Sequence, residues 1–230
     1  MDDRQLLEAL ARCVERGKRD AASPHPPDLR GQDGADELTR RALEAYAIPP
    51  QRVLDEGLIP GMARIGELFR DKRVFVPDVL LAARAMAAGM AHLEPHFRAH
   101  DILQRGTFVI GTVRGDLHDI GKKLVAMIAT GAGYEVVDLG TDVPPETFAE
   151  AVRAHPGCAV GVSALLTTTM LHMREVVDAV HAAVPNTPVI VGGAPVTAAF
   201  AASIGADAYG ADPQSAVDFL RACIAPVAGV

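Results

Sequence analysis

Residues 107–140, TFVIGTVRGDLHDIGKKLVAMIATGAGYEVVDLG, decide the fold. The stretch opens on a short β-rich run, Thr107–Gly111. Residues 118–132 then carry helical spacing and stop at Gly131 and Gly133. Tyr134–Leu139 is a second β-rich run. A strand, a helix and a strand in so few residues make one βαβ unit, which needs parallel strands.

The same alternation continues outward toward the C-terminus. Pro144 and Pro145 open a helix to about residue 154, Cys158–Val162 is a third strand, and residues 168–184 are helical. Pro188–Val191, a short helix over 196–204, a fifth strand at Asp207–Tyr209 and a last helix over 213–224 complete the series. Strands alternating with helices predict a sheet covered on both faces. Right-handed crossovers then give a doubly wound, flavodoxin/Rossmann-like five-stranded parallel-sheet domain over 101–230. Toward the N-terminus the period changes. Leu6, Leu7, Leu10 and Val14 fall on one helical stripe of residues 2–17. Residues 21–34 are rich in Pro, Gly and Asp and read as a loop. Further helices are expected near 35–46, 50–70 and 78–98, the last with Val79, Met86, Met90 and Leu93 on one stripe. Residues 1–100 therefore read as an N-terminal four-helix bundle, and the whole chain as α/β.

Composition bounds the function. The chain has 230 residues, 49% hydrophobic and 22% charged, which suits a packed core and not disorder. It has 39 Ala and 21 Gly but no Trp, and only 4% aromatic residues, so helices can approach closely while the core has little bulk. The net charge is −7, and the basic residues are scattered, so nucleic acid is not an expected partner. No apolar run reaches the roughly 18 residues of a membrane span. The N-terminus lacks a signal-peptide layout, and Cys13, Cys158 and Cys223 form no disulfide framework, so a cytoplasmic setting is expected.

In a sheet of this kind ligands bind beyond the carboxyl ends of the strands. Those ends carry Gly111–Lys122, Ser163–Thr169, Gly192–Pro195 and Tyr209–Asp212. A lone His118 is more often a surface or capping residue. Asp116, two residues earlier, can however fix one ring nitrogen and raise the basicity of the other. One imidazole is too few for zinc and suits a metal whose other positions a macrocycle fills. Gly192 and Gly193 allow backbone to approach a ligand, although a plain strand-to-helix turn explains them equally. Ser163 and Thr167–Thr169 supply short donors, or cap the following helix. A phospho-receiver would need an Asp where Ser163 stands. A dinucleotide site needs G-x-G-x-x-G, which Gly111, Gly115 and Gly121 do not give.

Asp116-x-His118-x-x-Gly121, then Ser163-x-Leu165, then Gly192-Gly193, is similar to the cobalamin-binding fingerprint of methionine synthase and the methyltransferase corrinoid proteins. The first half joins in. Gly66–Phe69, Val74–Met86 and Leu93-Glu-Pro95 resemble the helical cap module that precedes the cobalamin domain in that family. Residues 21–34 have no place in the general pattern.

The resemblance implies a cobalamin or related corrinoid whose dimethylbenzimidazole tail leaves cobalt and slots into the sheet domain. By position His118 is then the lower cobalt ligand, Asp116 its hydrogen-bond partner, and Thr169 the hydroxyl that continues the relay. Ser163, Leu165 and Thr167 belong along the tail, and Gly192, Gly193 and Ala194 on the nucleotide's other side. Gly115, Asp119 and Ile120 belong against the corrin ring, with Gly121 closing the motif. Lys122 and Lys123 can reach toward the nucleotide phosphate or simply be solvated. Phe75, Val79 and Met86 either cover the reactive face or fill the bundle core.

The implied role is a carrier subunit. It accepts a methyl group on cobalt from a substrate-specific methyltransferase and passes it to a second methyltransferase with a folate or thiol acceptor. A reductive activation protein is a further implied partner, and the chain alone is not expected to turn over. Methionine synthase also needs homocysteine and folate modules, for which 230 residues leave no room. The alternative is a cobalamin-binding sensor or regulatory protein. That calls for a basic DNA-binding module before the cap, and the first 20 residues are short for one.

Overall fold

The computed structural model describes residues 1–99 and 105–224. They group into two compact units, one holding residues 1–99 with 131–133 and the other residues 105–130 and 134–224. The boundary expected at residues 100–101 lies outside the described residues.

The first unit is helical: α1 (Asp3–Glu15), α2 (Ala35–Glu44), α3 (Pro50–Arg52), α4 (Ile59–Arg70) and α5 (Val76–Arg98). Asp2 caps α1 by accepting the Gln5 N–H at 2.7 Å, and Gln5 returns the bond to the Asp2 N–H. The third expected helix, 50–70, is one continuous rod, because a π-helical stretch at Val53–Leu58 joins α3 to α4. Pro60, at the start of α4 and between Gly57 and Gly61, has no N–H to give the carbonyl four residues earlier, and the widened turn lies just before it. Helix α5 starts two residues earlier than the pattern suggests, since Pro77 fits a first turn whose N–H groups need no partner.

Leu6, Leu10 and Val14 of α1 are fully buried, as are Val53 and Leu58 of the rod and Val79 of α5. Small residues set the spacing. A Cβ on Gly61 of α4 would lie 2.5 Å from the Ala11 carbonyl oxygen and 2.6 Å from Val14 Cβ. Gly89 of α5 lies as close to Leu58. Val79 and Met86 belong to the bundle core, whereas Phe75 is exposed.

The loop at 21–34 is tied down at both ends. Ala35 and Asp36 donate their N–H groups to the carbonyls of Lys18 and Arg19, at 3.0 and 2.9 Å. Lys18 is completely buried, and its Nζ donates to the Ser23 carbonyl at 2.9 Å. Glu37 accepts from the Ala21 and Gly34 N–H groups.

The second unit is a parallel five-stranded sheet in the order β2-β1-β3-β4-β5: β1 (Thr107–Thr112), β2 (Glu135–Asp138), β3 (Ala159–Ser163), β4 (Val189–Gly192) and β5 (Ala208–Gly210). The connecting helices are α6 (Ile120–Gly131), α7 (Pro145–Ala154), α8 (His172–Ala183) and α9 (Ala198–Ser203), with α10 (Pro213–Cys223) last. The order is the doubly wound one expected. The central strands are apolar on both faces, as burial on both sides requires. Val109, Val160, Val162 and Val191 form one core with Phe148 and Val152 of α7 and Met173 and Val177 of α8. Phe108, Ile110, Gly161 and Ile190 point the other way, toward a cavity described below. Helices α6 and α8 begin at Ile120 and His172, later than the periodicity predicts. His118 and Thr169 therefore sit on irregular backbone rather than in a helix.

Candidate functional site

Strands β1 and β3 are neighbours whose following helices diverge, so their C-terminal loops open a crevice between them. Val113 donates its N–H to the Ser163 carbonyl at 3.0 Å and starts the closure. Asp116 completes it. Its side chain is fully shielded from solvent and accepts four hydrogen bonds. Oδ2 takes the Thr169 hydroxyl at 2.6 Å and the Leu165 N–H at 2.8 Å. Oδ1 takes the His118 N–H at 3.0 Å and faces His118 Nδ1 at 2.8 Å.

Burial alone would raise the Asp116 carboxyl, but the bonds from Thr169, Leu165 and His118 outweigh it and hold the group well below the usual carboxylate range. The carboxylate is thus ionised, and its bond to Nδ1 places the ring proton there. Nε2 is left as the lone-pair nitrogen. It has no hydrogen-bond partner among the described residues, and the ring is half exposed. The buried Thr112 hydroxyl donates to the His118 carbonyl at 3.0 Å and steadies the backbone beneath the ring.

The two loops that Asp116 joins carry large exposed apolar side chains. Leu117 and Ile120 on the β1 loop, and Leu165, Leu166 and Leu171 on the β3 loop, are all exposed. Solitary exposed apolar side chains are ordinary, but four leucines and an isoleucine on two loops joined through Asp116 stand out. Among the described residues no group of three or more His, Cys, Asp and Glu is placed to hold a metal ion. A metal at Nε2 needs its other positions filled by something besides this chain.

On the face opposite the valine core lies a cavity of about 350 Å³. Phe108, Ile110, Gly161 and Ile190 form its sheet side, Gly121, Lys122 and Val125 its α6 side, and Tyr209–Pro213 with Ala216 its far wall. Ser163, Gly192, Gly193 and Ala194 line its mouth. Leu165 and Thr167, expected along the same slot, do not line it. They lie in the turn after β3, where Leu165 spends its N–H on Asp116. Gly115 (φ +80°) and Asp119 stand in the loop around His118.

Lys122 is buried and ion-paired with Asp138, whereas Lys123 is exposed to solvent and pairs with Asp119 four residues earlier on the surface. Sequence reasoning placed Thr112, Tyr209 and Asp212 on the strand-end rim without giving them a role, and passed over Asp142. None of them belongs to a recognisable pattern.

The glycines separate two causes. Gly193, at φ +129°, passes so close to Ala164 that a Cβ would overlap its carbonyl oxygen, so the fold itself demands glycine. Gly121 is different. A Cβ there would meet nothing within 4 Å, yet the residue lines the cavity. Its missing side chain leaves room that the protein does not use. A flat macrocycle with a nucleotide tail fits these residues: an apolar rim, one available imidazole nitrogen, and a slot within the roughly 300–1,000 Å³ of small-molecule sites.

The comparisons agree with this reading. Residues 106–218 match a family model described as a B12 binding domain, and residues 31–94 match a second model of the same description. The dimethylamine corrinoid protein 1 of Methanosarcina mazei is 37% identical over 216 residues, covering 93% of each chain. The trimethylamine corrinoid protein of Methanosarcina barkeri is 40% identical over 194 residues, covering 83% of this chain and 89% of its own. Among solved structures, the methanol:cobalamin methyltransferase complex of Methanosarcina barkeri superposes with a TM-score of 0.78 at 30% identity, over 97% of this chain and 82% of that one. A cobalamin-binding protein from Desulfitobacterium hafniense gives 0.70 at 29% identity, covering 96% and 97%. An α/β unit with a helical partner, matched along nearly its whole length by such relatives, places the chain in the methyltransferase corrinoid proteins, B12-binding proteins whose cofactor is cobalamin or a related corrinoid.

Proposed function

We propose that the chain is the methyl carrier between a substrate-specific methyltransferase and a second methyltransferase that acts on a folate or a thiol. The observation that carries this reading is the His118 imidazole, gripped at Nδ1 by a buried carboxylate, with Nε2 open beside an apolar rim and a nucleotide-sized slot. A bound corrinoid supplies a cobalt centre able to take up a methyl group and hand it on. The residues of this chain set the conditions. His118 would offer Nε2 to the cobalt, Asp116 holds the proton on Nδ1, and Thr169 and the Leu165 N–H keep the carboxylate aimed. Ser163, Gly121 and Gly192–Ala194 receive the tail. Leu117, Ile120 and Leu165, exposed on the two loops, would pack against the bound group and keep water from it. Losing the Asp116 bond would leave the His118 ring free to turn and would weaken its hold on cobalt.

The names of the relatives support a methylated amine as donor, with methanol next. Protein reconstituted with hydroxocobalamin should hold about one cobalt per chain and show a corrinoid absorption spectrum. Mixed with candidate methyltransferases and their donors, it should be methylated only when the cognate partner is present. Repeated turnover of a free methylamine by the purified carrier alone would contradict the carrier role. In His118→Ala the corrinoid should stay bound but lose the imidazole nitrogen hyperfine splitting from its cobalt(II) EPR spectrum. An unchanged spectrum would remove His118 as the ligand.

A further inference from the structure

Asp142 lies in the loop after β2, outside every motif of the site, and its backbone is in the left-handed region at φ +56°. Few residues other than glycine accept that conformation, and Asp and Asn do so most readily. Its neighbour in the sheet is the loop that presents His118. Thr112 donates its N–H to the Gly140 carbonyl at 3.0 Å, and Val113 pairs with Val143 in an isolated parallel bridge. Between these two ties Asp142 makes two bonds of its own. Its Oδ1 accepts the Gly115 N–H at 2.6 Å, and its own N–H donates to the Asp116 carbonyl at 3.0 Å.

The two bonds bracket the Gly115–Asp116 segment and fix the direction in which the Asp116 Cβ leaves the chain. Gly115 itself is at φ +80°, with no Cβ to limit its torsions, so the segment has little intrinsic stiffness. A short bond to an ionised acceptor is the stronger kind and suits this task.

We infer that Asp142 is a positioning residue for the cobalt ligand: by clamping Gly115 and Asp116 it aims the carboxylate that orients His118. The inference rests on the proposed role of His118. Its reach is one step further out, through backbone rather than through any group that touches the cofactor. The requirement is for an acceptor on a residue that tolerates positive φ. Asparagine meets both conditions, and glycine meets only the second.

The test compares Asp142→Gly and Asp142→Asn, each reconstituted with hydroxocobalamin and reduced to cobalt(II), with His118→Ala and the unaltered protein alongside. In Asp142→Gly the ratio of imidazole-bound to unbound cobalt, read from nitrogen hyperfine structure by EPR, should fall about tenfold, the scale of one lost charged hydrogen bond. Asp142→Asn should restore most of it. Thermal melting of the ligand-free variants shows whether the sheet unit is intact. Should the glycine variant not fold, Asp142→Ala lacks the same acceptor and is read in the same way. A ratio in the acceptor-free variant equal to that of the unaltered protein overturns the inference, as does an equal loss in Asp142→Asn. If His118→Ala and the unaltered protein give one spectrum, it is the ligand assignment that has failed, and the inference fails with it.

Discussion

Asp116 is the most heavily bonded side chain of the site, and its substitution should show in stability as well as in cofactor chemistry. Each carboxylate oxygen serves two donors, so an asparagine there would turn its NH2 toward two of the four, and Asp116→Asn should cost about 2–3 kcal/mol in the ligand-free protein. The pH dependence follows from the depressed carboxyl. In the unfolded chain the group titrates near its ordinary value of about 3.9. Its stabilising contribution is therefore complete above about pH 5 and is lost as pH falls through the lower native value. The stability gap between the unaltered protein and Asp116→Asn should be flat from about pH 5 to 8 and narrow below about pH 4, as chemical denaturation at each pH would show. The cysteines offer a second check. Burial pushes the Cys13 thiol up to about 11, while Cys223 is only half-buried. Alkylation of the native protein at neutral pH should label Cys223 first and Cys13 only on unfolding.

Two glycines in neighbouring kinds of element make opposite predictions. At Gly61 an added methyl would collide with the Ala11 carbonyl, so Gly61→Ala should force α1 and α4 apart. We expect a loss of about 1–3 kcal/mol, despite the roughly 1 kcal/mol that alanine gains in helix propensity. At Gly121 the methyl meets open space, so Gly121→Ala should melt no earlier than the unaltered protein. Corrinoid affinity should nevertheless drop at least about tenfold, because the methyl intrudes on the slot; calorimetric titration with hydroxocobalamin decides it. The long loop after α1 has its own key residue. Replacing Lys18 by Met keeps the buried stem but removes the bond to the Ser23 carbonyl. Hydrogen exchange across residues 21–34 should then speed up about tenfold while α1 stays protected.

For the molecule as a whole, cofactor loading is a stability lever. A ligand present at 100 times its Kd adds about 2.7 kcal/mol, so corrinoid should raise the melting temperature of the sheet unit by roughly 10 °C. The doubly wound sheet was legible because Gly or Pro punctuates the turns after β1, β2, β4 and β5, and because the valine runs mark buried strands; the turn after β3 has neither residue. The Asp116–His118 pair was legible because both partners lie two residues apart. What stayed hidden depends on residues distant in sequence. Asp142 reaches Gly115 across 27 positions, and Lys122 is buried only because Asp138 at the end of β2 receives it. The π stretch at Val53–Leu58 is not visible in the apolar periodicity of 50–70, and only Pro60, which breaks the hydrogen-bond ladder after it, marks the place. The four-bond anchorage of Asp116 has one more consequence. The imidazole is already aimed in the ligand-free chain, so the entropy of ordering it was spent in folding and is not charged again at capture. Corrinoid uptake should therefore be fast and resemble docking onto a preorganised surface, with its association rate insensitive to the viscosity-damped motions of the β1 loop.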